Sequence, residues 1–199
     1  MAISTYAELQ TAVSNWLDRS DLASRIPEFI VIGEARIARE VRSRLQEQRV
    51  TTTADDYVNV PADFLEMRSV WLTTNGRVIP LQYVAPDALF TMYPSDDTGI
   101  PKYFTIFGDE IRFGPLPDSA YEIQLWYFKK LEALSEETNS LFTRNPDLYL
   151  YAALCAAVPF LKNDNRIQVW ESLYQQVKNQ VNDSERKGRE STAMQMRVA

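Results

Sequence analysis

The sequence predicts an α+β fold in which helices from the two ends of the chain form a helical bundle scaffold and an antiparallel β region is inserted between them. Three observations carry this reading. Apolar residues recur every three or four positions near both ends, the period falls to two in the middle, and Phe142 to Leu161 is so apolar that other elements must enclose it. The corresponding domain boundaries are a single domain over 1–182, with scaffold segments 1–45 and 140–182 around a β region at 46–135, and a flexible docking tail at 183–199.

In chain order, Thr5 and Glu8 have the spacing of a capping box, followed by a stripe of Tyr6, Leu9, Val13 and Trp16, which predicts a helix over about 5–18. Pro27 disfavours helical geometry at Ile26, so a break and a new helix from Pro27 to about Arg44 are expected. Its core stripe is Ile30, Ile37, Val41 and Leu45, with Gly33 and Ala38 small enough for a close neighbour. Its outer face carries Arg36, Arg39, Arg42 and Arg44 with Glu34 and Glu40 among them. Alternating signs cancel most of the field, so this reads as a salt-bridged face or a subunit contact rather than a nucleic-acid grip, with Arg36, Arg39 and Arg42 as the contact candidates.

From about Gln46 the alternation of strands takes over. Val50–Ala54 and Tyr57–Val60 flank Asp55-Asp56 and predict one hairpin, while Met67–Thr73 and Arg77–Val84 flank Asn75-Gly76, a stronger type I′ signal. Pro61 and Pro80 confine their strands to edges or ends. Pro86–Tyr93 predicts a short helix, 94–101 an exposed loop, and 103–107 with 111–113 a hairpin around Gly108-Asp109. The strand Tyr121–Lys130 has Tyr121, Ile123, Leu125 and Tyr127 on one face and Glu122, Gln124, Trp126 and Phe128 on the other.

After a connector over 131–141 comes the all-apolar helix, with Asn145 as its cap, Pro146 in the first turn and Asp147 favoured by the helix dipole. It is too short to span a bilayer. The last helix follows a turn at 162–165 and shows one seam, Ile167, Trp170, Tyr174, Val177 and Val181. Beyond about Asn182 the pattern stops. Arg186, Lys187, Arg189, Met194, Met196 and Arg197 in this tail are candidate partner-binding residues, because basic and flexible apolar side chains order against a surface that covers them.

Chemistry is thinly represented. The 199 residues carry a net charge of −6, which disfavours a protein whose task is gripping nucleic acid. Histidine is absent, removing the commonest general base and transition-metal ligand. Cys155, the one cysteine, lies within the apolar helix and reads as a buried thiol. The acidic pairs Asp55-Asp56, Asp96-Asp97 and Glu136-Glu137 sit in predicted turns or connectors, which turn chemistry explains. With 6 glycines there is no phosphate loop, and Trp16, Trp71, Trp126 and Trp170 read as core. The N-terminus lacks a basic region followed by an apolar one, so no secretion signal is expected. The expectation is a protein with no catalytic, cofactor-binding or metal-ligating residues.

The order of segments resembles the head-to-tail adaptor (connector) proteins of tailed, and especially short-tailed, bacteriophages. The stretches that carry it are Tyr6-Ala-Glu-Leu, Trp16-Leu-Asp-Arg, Ile26-Pro-Glu-Phe-Ile with Glu34-Ala-Arg-Ile, and Val60-Pro-Ala-Asp-Phe-Leu-Glu-Met-Arg. Gly99-Ile-Pro-Lys-Tyr-Phe-Thr-Ile, Arg112-Phe-Gly-Pro-Leu-Pro-Asp and Thr143-Arg-Asn-Pro-Asp-Leu-Tyr-Leu-Tyr-Ala-Ala-Leu complete it. The resemblance implies a structural virion protein without enzymatic activity, made in the host bacterial cytoplasm and housed in the neck of the particle. It further implies a homo-oligomeric ring of about twelve subunits between the portal protein and the tail nozzle or tail tube. DNA would pass through the lumen without sequence-specific binding, and no membrane is involved. The rival classes are a monomeric protein-binding module and a small phage-encoded enzyme; solution mass separates the first, and retained activity in a purified preparation the second.

Overall fold

The computed structural model describes residues 3–95, 97–135, 138–161 and 164–194, with side chains described as far as Lys187. The first elements are α1 (Tyr6–Leu17), a 3-10 turn (Ser20–Arg25), α2 (Ile26–Glu40) and a second 3-10 turn (Arg44–Gln46). Next come β1 (Glu47–Thr53), β2 (Tyr57–Asn59), β3 (Phe64–Thr74), β4 (Arg77–Tyr83), α3 (Pro86–Met92), β5 (Thr98–Gly99), β6 (Tyr103–Phe107), β7 (Glu110–Gly114), β8 (Leu116–Pro117) and β9 (Glu122–Lys129). The chain then returns to helix in α4 (Ser140–Arg144), α5 (Pro146–Ala156), a 3-10 turn (Val158–Phe160) and α6 (Arg166–Met194). The class is α+β, and the chain divides into two compact units: Met1–Leu45 with Leu131–Ala199, and Gln46–Lys130.

In the helical unit, α1 starts at the expected capping box. The Thr5 hydroxyl accepts the Glu8 N–H at 3.2 Å, and the Glu8 carboxylate accepts the Thr5 N–H at 3.1 Å. Helix α2 ends at Glu40, short of the expected Arg44, because Val41 turns extended (φ −118°, ψ 133°) and Arg42 folds back to donate to the carbonyls of Ala38 (2.6 Å) and Val41 (2.9 Å). Its inner face buries Ile26, Phe29, Ile30, Gly33 and Ile37. Gly33 makes the expected close approach: a Cβ there would lie 3.0 Å from the carbonyl carbon of Ala152 and the amide nitrogen of Ala153 in α5. Ala38, expected to do likewise, is exposed.

Helix α5 buries Leu148, Tyr149, Leu150, Ala152, Ala153 and Leu154. Asn145 does not cap it as expected. Its side chain donates back to the Leu141 carbonyl at 3.4 Å, and Asp147 accepts the Leu148 N–H at 3.0 Å instead. The apolar run does not stay helical to Leu161, since Pro159 lacks an N–H and the chain tightens into a 3-10 turn after Ala157. The buried Tyr149 hydroxyl donates to Asn139 Oδ1 (3.1 Å), the same oxygen that accepts the Phe142 N–H (2.9 Å) and caps α4. Leu134 is buried in this core, and its N–H donates to Glu34 at 2.9 Å, which explains why the connector belongs with the helices.

Along α6 the seam appears as expected, with Trp170, Tyr174 and Val181 buried and Ile167 and Val177 packed against the core. The helix continues past 182 to Met194. Glu185, four residues beyond Val181, extends the seam and is itself buried. Trp16 corrects the reading of the tryptophans as core. It is 41% exposed and meets Tyr151 edge-on at 5.7 Å, while Trp71 and Trp126 are half-buried.

The β unit is a curled seven-stranded sheet in the order β1-β9-β3-β4-β6-β7-β2, with β5 and β8 forming a small separate pair. The hairpin expected around Asp55-Asp56 is absent: β1 pairs with β9 and β2 with β7, at opposite ends of the strand order. A two-residue hairpin needs left-handed φ at its turn, and neither aspartate has it, whereas Asn75 (φ 48°) and Gly76 (φ 72°) do and close the β3–β4 hairpin as expected. The hairpin at Gly108 (φ 60°) also forms. The region is not wholly antiparallel. Helix α3 carries the chain over between β4 and β6, which pair parallel at Gln82 and Tyr83.

Pro80 sits opposite Trp71 in β4. Counting from the two-residue turn, residues 78, 80 and 82 aim their backbone groups away from β3, and the Gln82 N–H duly meets the Lys102 carbonyl at 3.0 Å. Proline therefore removes a donor only from the outward side. The core of this unit is Val70, Leu72, Leu81, Phe104, Ile111, Phe113, Ile123, Leu125 and Tyr127.

Candidate functional site

Side chains with chemical potential fall into three places. The first joins α2 to α6 within the helical unit. Arg36 donates twice to Glu171, at 2.9 Å and 2.6 Å, and once to Glu40 at 3.0 Å, while its guanidinium lies 4.0 Å from the centre of the Tyr174 ring. Tyr174 donates to Glu40 at 3.2 Å, Lys178 pairs with the same carboxylate at 3.2 Å, and Gln175 donates to Glu171 at 2.8 Å. The Arg36 hydrogen bonds hold the Glu171 carboxyl down at about 2 against its partial burial. Burial pushes the Cys155 thiol up to about 12, with the Glu171 carboxylate adding to the rise. The thiol is half-buried and stays protonated at neutral pH, without nucleophilic character.

The second place is the far end of α2. Glu185 accepts the Arg44 N–H at 2.9 Å and the Ser43 hydroxyl at 3.2 Å, satisfying backbone that the shortened helix would otherwise leave open. The sequence reading missed Glu185 and Glu171. Glu185 was detectable, since 174, 177, 181 and 185 continue one spacing; the Arg36–Glu171 pair spans the whole β insertion and had no local signal.

In the β unit, the Arg112 guanidinium lies 4.5 Å from the Phe90 ring and 5.5 Å from the Tyr57 ring, and donates to the Tyr57 hydroxyl at 3.0 Å. Both rings are about half exposed. Elsewhere on this unit Val78, Ile79 and Tyr83 of β4 and Phe107 at the end of β6 are exposed. Paired charge and accessible aromatic surface suit contact with a partner surface.

Of the candidates named from sequence, Arg36 is engaged with its own chain, Arg39 is exposed, and Arg42 lies on the α2 carbonyls. Arg186 pairs with Asp183 at 3.4 Å and Lys187 is exposed. Met196 and Arg197 lie outside the described residues, as do the side chains of Arg189 and Met194. Asp55 accepts the Asp56 N–H at 2.9 Å in the link between β1 and β2; Asp96, Glu136 and Glu137 lie outside the described residues. Among the described residues, no group of acidic, cysteine or histidine side chains is placed to hold a metal ion, and no helix is long and apolar enough to cross a membrane.

Glu171 gives a pH prediction. Its folded pKa lies below the ordinary 4.5, so its contribution to stability is complete above that value and is lost as pH falls toward about 2. The side chain is 43% exposed, which screens the effect. The melting temperature should fall between about pH 5 and pH 3. Glu171→Gln should flatten that slope, and an unaltered slope would remove Arg36–Glu171 from the stability of the unit.

Surfaces of this kind define a protein that works by contact. The family model for the SU10 adaptor protein matches residues 4–198. The chain belongs to that family and is a phage adaptor, a structural component of the virion that interacts with other virion components. A comparison with curated proteins returned no match.

Proposed function

We propose that the chain assembles into a ring of about twelve copies in the neck of a tailed phage, joining the portal to the tail nozzle or tail tube. The match to the adaptor family along almost the entire chain is the observation that supports this. The helices form the bundle scaffold of each subunit, and the β unit is inserted between its two halves. DNA crosses the lumen without sequence-specific binding. A net charge of −6 on each subunit favours passage over adhesion to phosphate. Arg39 and Arg42 serve as subunit-contact residues, and Arg36 contributes by fastening α2 to α6.

The C-terminal segment is proposed as the portal-docking arm, acting through Arg186, Lys187, Arg189, Met194, Met196 and Arg197. The test is to mix purified protein with portal-bearing, tailless capsids and image them. Rings on the portal vertex are expected; capsids left bare would sink the reading. Because Glu185 belongs to the fold, the informative truncation removes 188–199 and leaves the Arg44 contact intact. Its melting temperature should match that of the full chain while attachment drops severalfold, and attachment at the full-length level would retire the docking arm.

A further inference from the structure

We infer that the outer face of α2 in one copy packs against the outer face of α6 in the next copy, with Val31 and Val169 at the centre of the contact. The inference rests on the ring proposed above and specifies how that ring closes.

The ion pairs fix which side of each helix faces the other. Arg36 and Glu40 of α2 reach Glu171, Tyr174 and Lys178 of α6. At about 100° per residue, Val31, Ala35 and Ala38 lie roughly half a turn away from that side of α2, and Arg42, just past the helix end, folds back onto the Ala38 carbonyl. On α6 the same reasoning places Val169, Gln176, Gln180 and Asp183 half a turn away from α2. The two faces therefore point in opposite directions from one helix pair. A contact between two unlike, oppositely directed faces is heterologous, the kind that generates a ring when the rotation closes.

Exposure and charge agree with this assignment. Outer helix faces are ordinarily polar. Yet Val31 is 54% exposed with Ile32 beside it at 46%, Ala35 and Ala38 continue the α2 stripe, and Val169 on α6 is 55% exposed. The α2 face begins near Glu28 and is followed, just past the helix end, by Arg42; α6 begins with Arg166 and carries Asp183 near the level of Glu185. The helices run parallel, since Arg36 meets Glu171, Glu40 meets Lys178, and the Arg44 N–H meets Glu185 in rising order. Rotation about an axis along these helices keeps heights unchanged. Val31 then falls within about a turn of the next copy's Val169, Glu28 comes within about a turn of Arg166, and Arg42, two residues before Arg44, comes near the level of Asp183, two residues before Glu185. Opposite charges close both ends of an apolar centre. Glu28, Arg42, Arg166 and Asp183 have partners within their own chain, so the pairing adds a shared network at the rim and sets register more than affinity.

The experiment uses the full-length chain with Cys155→Ser as background, leaving no other thiol. Val31→Cys combined with Val169→Cys, assembled and mildly oxidised, should give a covalent ladder reaching the size of the native assembly, while each single cysteine gives monomer. Rings visible by microscopy without a ladder would overturn the face assignment and leave the ring intact. A dimer from Val31→Cys alone would replace it with a two-fold contact. A wild-type chain that forms no ring, even on portal-bearing capsids, would overturn ring and contact together. A second measurement avoids covalent chemistry: Val31→Asp should raise the concentration for half-assembly by about tenfold or more with the melting temperature of the unassembled chain unchanged. Assembly at the wild-type concentration would overturn the contact.

Discussion

Replacing Gly33 with valine is expected to unfold or severely weaken the helical unit, although valine is apolar and the position is buried. The reason is backbone proximity. At 3.0 Å from both Ala152 and Ala153 main-chain atoms, even one methyl group is closer than packed carbon atoms sit, and neither obstacle is a side-chain end that could rotate aside. Overpacking of a tight core costs about 1 to 3 kcal/mol, and here the relief requires moving α2 away from the helix against which it buries most of its face. Gly33→Ala is the graded control. Alanine recovers up to about 1 kcal/mol of helix propensity, so its net loss should be smaller than that of valine. Thermal unfolding followed by circular dichroism decides the matter: equal melting temperatures for wild type and Gly33→Val would mean that α2 and α5 are farther apart than described.

That contact also shows what was legible in the sequence. A glycine on the core stripe of α2 signalled a close neighbour, and an all-apolar helix after Pro146 signalled something enclosed, so the two could be matched without coordinates. Ala38 gave the same local signal and proved exposed, since small size is compatible with both a tight contact and an outer face. In the β unit, Asn75-Gly76 specified its hairpin because left-handed φ is a requirement of the turn itself. Asp55-Asp56 lacked that requirement, and the flanking strands went to β9 and β7 instead. Pairings between distant strands, like the parallel β4–β6 pair, are decided by which apolar faces share one core, and a local window does not contain that information.

The contact sites divide along the same line. The exposed arginines of α2 were visible as a group, but only the fold separates Arg36, which is committed to Glu171, from Arg39 on the outer face. Nothing near Arg36 in sequence announced its partner. The end of α6 failed for another reason: charged residues after Val181 were read as the end of the seam, whereas Glu185 continues it by exchanging apolar burial for hydrogen bonds to Ser43 and Arg44. A periodicity counted in apolar residues alone passes over a buried carboxylate whose partners are the Ser43 hydroxyl and the Arg44 N–H.

Trp170→Ala is expected to produce the second large loss, and its companion Trp16→Ala almost none. Both tryptophans fall on helical stripes and were equivalent in the sequence. In the fold Trp170 is 2% exposed within the helical core, with the Arg166 guanidinium 5.1 Å from its ring centre, whereas Trp16 is 41% exposed and meets one aromatic neighbour. Truncating a buried aromatic costs about 3 to 5 kcal/mol, from lost transfer free energy and from the cavity that a rigid surround cannot close. In a chain of this size each kcal/mol shifts the melting temperature by roughly 2 to 4 °C, so Trp170→Ala should melt at least about 10 °C lower or fail to fold. The Trp16 change removes surface already shared with water and should stay within about 1 kcal/mol. Similar losses in the two variants would place Trp16 in a core as well, and no loss in either would displace the seam of α6 from the interior.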